Sequence, residues 1–105
     1  ADLADRYTRD ESTLRDALSA LTAFLRDHDS HPNAPLARVR QEELKQRLAG
    51  LYYRRASFYD KIARKPEAAM LAYRDFIRRF PDAPQANEVN NRLVELQMQQ
   101  QEESP

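Results

Sequence analysis

The chain has 105 residues, enough for one small domain with a modest core. Charged side chains make up 32% of it, and seventeen basic groups balance seventeen acidic ones, so no net field draws the molecule to nucleic acid or an anionic membrane. One glycine, no cysteine and no apolar run of eighteen residues exclude thiolate and disulfide chemistry, a glycine-rich phosphate loop and a membrane-spanning helix, and favour helix over sheet.

Residues 1–11 are polar and read as a frayed tail, with Leu3 and Tyr7 spaced like the end of a preceding helix. Ala1–Arg6 carry no signal-peptide pattern, and a start on Ala1 rather than methionine is expected of an excised piece or a processed form. A first helix is predicted from Ser12-Thr13, with Leu14, Ala17, Leu18, Leu21, Phe24, Leu25 and His28 as its apolar stripe. Asp29–Pro35 is a corner with two prolines. A long second helix follows from Pro35, since no proline recurs until Pro66; it spans about 45 Å at 1.5 Å per residue. Its predicted stripe is Val39, Leu44, Leu48, Leu51, Tyr52, Tyr59 and Ile62, with Ala56 and Ala63 alongside. Gly50 in its middle costs about 1 kcal/mol against alanine, which fits either a close helix crossing or neutral drift. A third helix covers 66–80, opened by Pro66 and stopped by Pro81, with Ala69, Tyr73, Phe76, Ile77 and Phe80 on one face. Asp82 with Gln85 has capping-box spacing for a fourth helix over 84–100, with Ala86, Val89, Leu93 and Leu96 inward. The last residues, 102–105, are expected to be disordered, leaving 12–101 as the helical domain.

The chain repeats itself. Ala20, Phe24 and Pro32 match Ala69, Tyr73 and Pro81 at an offset of 49 residues, and His31–Pro35 matches Phe80–Pro84. This is the alanine-aromatic-proline part of the tetratricopeptide (TPR) pattern, whose period is about 34 residues. Counting back from Ala69 places the pattern's Trp position on Tyr53, its small position on Ser57 and its Tyr position on Asp60, a mismatch with Tyr59 beside it. The surplus of about four turns is assigned to the second helix. The predicted fold is all-α: a TPR-like α-solenoid fragment of about four helices, one of them long.

The run Leu44–Tyr59, with Ala68-Ala69 and Tyr73–Pro84, resembles the C-terminal repeats of BamD-type (ComL-like) outer-membrane assembly lipoproteins. The similarity covers residues 14–96. It implies a non-catalytic scaffold for envelope assembly proteins at the periplasmic face of the outer membrane, held to the membrane through a lipid anchor that this chain lacks. The family's lipidated cysteine and N-terminal repeats are absent here, and Ile62–Pro66 replaces its short turn. Periplasmic TPR proteins of the Tol–Pal system share the aromatic-proline corner and form the alternative.

The chemistry in the residues is sparse. Asp27–His31 holds two histidines and two aspartates, but His28 lies on the helix stripe and His31 takes the aromatic slot of the corner, so structural roles are expected and no metal, cofactor or small-molecule substrate. No carboxylate has a recognisably apolar setting, and no enzyme is expected. Charge is uneven, however: residues 38–65 hold nine basic groups against three acidic ones, between two acidic arms. Either the arms neutralise this helix, or it is a docking surface for an acidic protein patch. For docking, Leu36, Val39 and Leu44 would form an apolar seam beside Arg38, Arg40, Lys45 and Arg47, with Arg54 and Arg55 further along. A nucleic-acid-binding regulator using helix 36–65 is the remaining reading; it is disfavoured because aromatics at core spacing make no stacking platform.

Overall fold

The computed structural model describes the backbone of residues 3–103 and the side chains of 9–102. It is all-α: α1 (Leu3–Asp27), α2 (Ala34–Ser57) running on into a π-helical turn (Phe58–Ile62), α3 (Pro66–Arg79) and α4 (Ala86–Glu103), with no strand among the described residues. α1 begins at Leu3, well before the predicted start at Ser12-Thr13. Thr13 does not cap. Its hydroxyl donates back to the Arg9 carbonyl at 3.1 Å, the bond of a threonine inside a helix. Arg15 pairs with Glu11 one turn earlier at 2.8 Å. α2 and the π turn form the predicted long helix, 29 residues from Ala34 to Ile62. α4 continues through Glu102-Glu103; the expected tail at Ser104-Pro105 lies outside the described residues.

The chain divides into two compact units, Ala1–Leu51 and Tyr52–Pro105. In the first, α2 buries Ala34, Ala37, Leu48, Ala49 and Leu51. On α1, Leu14, Leu18, Leu21, Phe24 and Leu25 are half-buried, while Ala17 and His28, predicted on the same stripe, are exposed. Gln41 donates from Nε2 to the Thr22 hydroxyl at 3.1 Å, tying α2 to α1. Val39, predicted inward, is 54% exposed: the buried row runs Ala34, Ala37, Leu48, and Val39 lies off it. Gly50 is half-buried within a run, Leu48 to Tyr52, whose other members are all buried.

The second unit is packed on aromatic rings. Phe76 is fully buried, with Tyr53 at 6.2 Å and Phe80 at 5.7 Å between centroids; Tyr52 meets Phe80 edge-on at 5.3 Å. α3 buries Ala69, Met70, Tyr73 and Phe76, and α4 buries Ala86, Val89, Leu93 and Leu96 as predicted. The guanidiniums of Arg55 and Arg79 lie 5.2 and 5.3 Å from the Tyr52 ring centroid.

The end of the long helix departs from the α pattern. Ala63 N–H bonds the Phe58 carbonyl at 2.9 Å, a five-residue step. Within this turn Asp60 is buried while Tyr59, the residue expected inward, is half-buried, and Ile62 is 71% exposed. The helix then closes with Lys65 N–H on the Tyr59 carbonyl at 2.8 Å and Arg64 at φ 53°, a left-handed closure one residue wider than the Schellman bond. A side chain there carries a steric cost that glycine lacks. Arg64→Gly should raise stability by about 0.5–1 kcal/mol in urea unfolding; a lower midpoint would show that Arg64 does not hold this conformation.

The internal repeat is present, at a different offset. His28 N–H bonds the Phe24 carbonyl, His31 bonds His28, Ala34 bonds His31 and Ala37 bonds Asn33. The same four bonds join Phe80 to Phe76, Ala83 to Phe80, Ala86 to Ala83 and Val89 to Gln85. From His28 to Phe80 is 52 residues, not 49. Phe24 therefore matches Phe76, His28 rather than His31 matches Phe80, and Pro32 matches Pro84. The helix-opening residues are Asn33 and Gln85, whose carbonyls take the first bonds of α2 and α4, rather than Asp82. The prolines alone do not distinguish the two offsets, because Pro81 and Pro84 both occupy the second corner and Pro32 can be set against either.

Candidate functional site

The most developed polar site lies in the second unit, built from three elements. The π turn supplies Asp60, α3 supplies Tyr73 and α4 supplies Arg92. Arg92 grips Asp60 with two parallel bonds, Nε to Oδ2 and Nη2 to Oδ1, each 2.8 Å. The Tyr73 hydroxyl donates to Oδ2 at 2.9 Å, and Lys61 Nζ stands 3.7 Å from the same oxygen. The Asp60 side chain is 2% exposed and that of Arg92 22%. Arg92 also donates from Nη1 to Glu95 at 3.1 Å, and Tyr53 donates its hydroxyl to Glu88 nearby. Tyr53, Lys61, Tyr73, Glu88, Arg92 and Glu95 line a groove of about 610 Å³ together with Val89 and Asn91.

The electrostatics fix the protons. The Arg92 hydrogen bonds, seconded by Tyr73, hold the Asp60 carboxyl below its usual range against the opposing effect of burial. Burial and the bond to Asp60 push the Tyr73 phenol well up, and the bond to Glu88 pushes Tyr53 up to about 12. Asp60 raises Arg92 further. At neutral pH, Asp60 is an anion, Arg92 a cation and both phenols neutral. The hydrogen bonds and ion pairs of Asp60, Tyr73 and Arg92 tie three elements together. The cluster is a latch joining the π turn, α3 and α4. The expectation concerned only a carboxylate whose apolar setting would raise its pKa; Asp60 is buried, yet Arg92 and Tyr73 hold it down, so it falls outside that expectation. The signal was available: Asp60 continues the Tyr52–Ala56 row and Arg92 interrupts the Val89–Leu93–Leu96 row, opposite charges on two inward stripes.

The proposed docking residues are distributed along α2. Leu36 and Val39 are 59% and 54% exposed. Arg38, Arg40, Lys45, Arg47 and Arg54 are exposed, while Leu44 and Arg55 are half-buried. Arg38 donates to the Asp29 carbonyl at 3.3 Å and Arg40 holds Glu43 at 3.2 Å. Arg55, stacked on Tyr52, serves the second unit's packing and stands apart from the rest. His28 and His31 are both exposed, each near Phe24, with rings 6.4 Å apart. His31 Nδ1 accepts the Asn33 backbone N–H at 3.0 Å, which fixes the corner. Among the described residues no three His, Asp or Glu side chains converge as metal ligands would, and no helix is long and apolar enough to cross a membrane.

These features define an all-α chain of two units that share the same helix-joining corner, the second of which carries an internal ion-pair latch. No family model, curated protein or solved structure matches it.

Proposed function

We propose that this chain is a non-catalytic scaffold that binds other proteins, a TPR-like solenoid segment working in a BamD-type outer-membrane assembly complex on the periplasmic side. The observation that carries the binding role is the outer face of α2, where Leu36 and Val39 are exposed beside Arg38 and Arg40. Apolar anchors rimmed by cations supply affinity and encounter rate to an acidic partner surface. The repeated corner supports the solenoid part of the reading. The envelope setting is supported by the sequence resemblance alone.

The test is association with envelope proteins. The chain should retain outer-membrane assembly components from a detergent-solubilised envelope extract. Arg38→Glu, Arg40→Glu and Arg47→Glu together should cut that retention by about tenfold or more and flatten its salt dependence. The melting temperature should stay nearly unchanged, since all three side chains are exposed. Unfolding of the triple variant would assign these arginines to internal pairing and remove the docking role. Retention of duplex DNA or RNA instead would favour a nucleic-acid regulator.

A further inference from the structure

The offset of 52 residues allows the two units to be compared position by position. Ala17, Leu21 and Phe24 of α1 stand where Ala69, Tyr73 and Phe76 stand in α3, and Arg40 and Glu43 of α2 stand where Arg92 and Glu95 stand in α4. The ion pairs agree: Arg40 holds Glu43 at 3.2 Å and Arg92 holds Glu95 at 3.1 Å. The burial does not. Ala69, Tyr73 and Phe76 are buried, whereas Ala17 is exposed and Leu21 and Phe24 are half-buried.

The difference has an identifiable source. In the second unit residues 52–62 cover α3 and α4: Tyr53 lies on Phe76, and Asp60 receives Tyr73 and Arg92. In the first unit the described residues at the corresponding positions, 3–10, belong to α1 itself, which runs without a break from Leu3, so they cannot fold back over its own face. The rim differs too. Where α4 has Glu88, bonded to the Tyr53 hydroxyl, and Asn91, α2 presents the apolar Leu36 and Val39.

We propose that the α1–α2 face formed by Ala17, Leu21, Phe24, Leu36 and Arg40 is the docking site for an amphipathic helix of a partner protein, built like this chain's own residues 52–60. That helix carries an aromatic, a small residue and a carboxylate at successive four-residue steps, as Tyr52, Ala56 and Asp60 do. Its carboxylate takes the two-pronged grip of Arg40, and the residue facing Leu36 is apolar where the second unit uses Tyr53. The inference rests on the scaffold reading and names the class of partner it binds. Helix-in-groove docking of this kind needs only a preformed apolar face and one fixed charge.

The experiment uses the full chain, labelled with ¹⁵N, and a stapled peptide of residues 50–63 carrying Tyr53→Leu. Amide shifts are expected at Ala17, Leu21, Phe24, Leu36 and Arg40, with a Kd of about 10–100 µM. Arg40→Glu should weaken binding at least tenfold without lowering the melting temperature, and a peptide carrying Asp60→Lys should restore it to that variant. No shift at about 1 mM peptide, shifts confined to α3 and α4, or equal affinity for the Arg40→Glu chain would overturn the proposal. A chain that retains envelope proteins but fails this peptide loses the groove and keeps the scaffold role. A chain that retains none, yet binds the peptide here, keeps the groove and loses its envelope assignment.

Discussion

Replacing Phe76 with alanine should cost about 3–5 kcal/mol, the largest loss expected from any single truncation in the chain. The ring is fully buried at the meeting point of α3, Tyr53 and Phe80. The cavity left there cannot collapse easily, because Tyr53 and Tyr73 are held by their own hydrogen bonds to Glu88 and Asp60. Against a total stability of about 5–15 kcal/mol this is a large fraction, visible as a lower urea midpoint and a melting temperature depressed by more than about 10 °C. Phe80→Ala should cost about half as much or less, because Phe80 is only half-buried. The comparison also tests the repeat. The 52-residue register makes Phe76 the counterpart of Phe24 and the centre of the packing. The 49-residue register gives that importance to the corner residue Phe80. A Phe80→Ala variant less stable than Phe76→Ala would restore the shorter offset.

Arg92→Ala comes next, with an expected loss of about 3 kcal/mol near pH 7, the low end for breaking a buried pair because Arg92 is 22% exposed. The damage comes less from the lost attraction than from the Asp60 carboxylate left in a site almost closed to water. The pH dependence follows from the sign of the shift. Asp60 is held below its unfolded value, so its contribution is fully present above about pH 4 and is lost as pH falls through the folded value. In the variant, burial without Arg92 raises the carboxyl, and protonation then relieves the penalty. The gap between the two proteins should therefore be widest at neutral pH, narrow as pH falls through about 4, and close only below the lowered folded value of Asp60. Urea unfolding at pH 7 and pH 3.5 reads this directly. A constant gap would mean that Asp60 is not the group left unpaired. A double variant, Arg92→Ala with Asp60→Ala, should recover part of the loss, since it removes both charges. At the alkaline end the phenols behave oppositely. Tyr53 and Tyr73 are raised, so their contribution is intact below about pH 10 and is lost as pH climbs towards and past 12.

The sequence carried the element types. One glycine, scarce β-branched residues and no proline inside a helix beyond its first turn leave helix as the state that satisfies the backbone, and apolar residues at three- and four-residue steps place the inward faces of α3 and α4. Pro66 and Pro81 bounded α3 correctly, because proline's missing N–H and fixed φ act locally and need no tertiary partner. The start of α1 was not legible. Nothing in Ala1–Glu11 breaks a helix, and its polar surface reads equally as tail or as solvated helix.

Three things were settled only by the folded chain. The π turn depends on a single extra residue in one turn, which leaves no compositional trace; the four-residue row Tyr52–Ala56–Asp60 was legible, but not that Asp60 is buried more deeply than its neighbour Tyr59. The latch joins residues 32 positions apart, and only packing α4 against α3 brings Arg92 to Asp60. The repeat offset rested on backbone hydrogen bonds, which every residue but proline makes alike, so side-chain spelling could favour 49 where geometry required 52. Composition and periodicity therefore determined that this protein is helical and where its apolar stripes lie. The register of the long helix's end, the partner of its buried charge and the face left open for another helix were decided by tertiary structure, because each depends on which surfaces meet rather than on which residues are present.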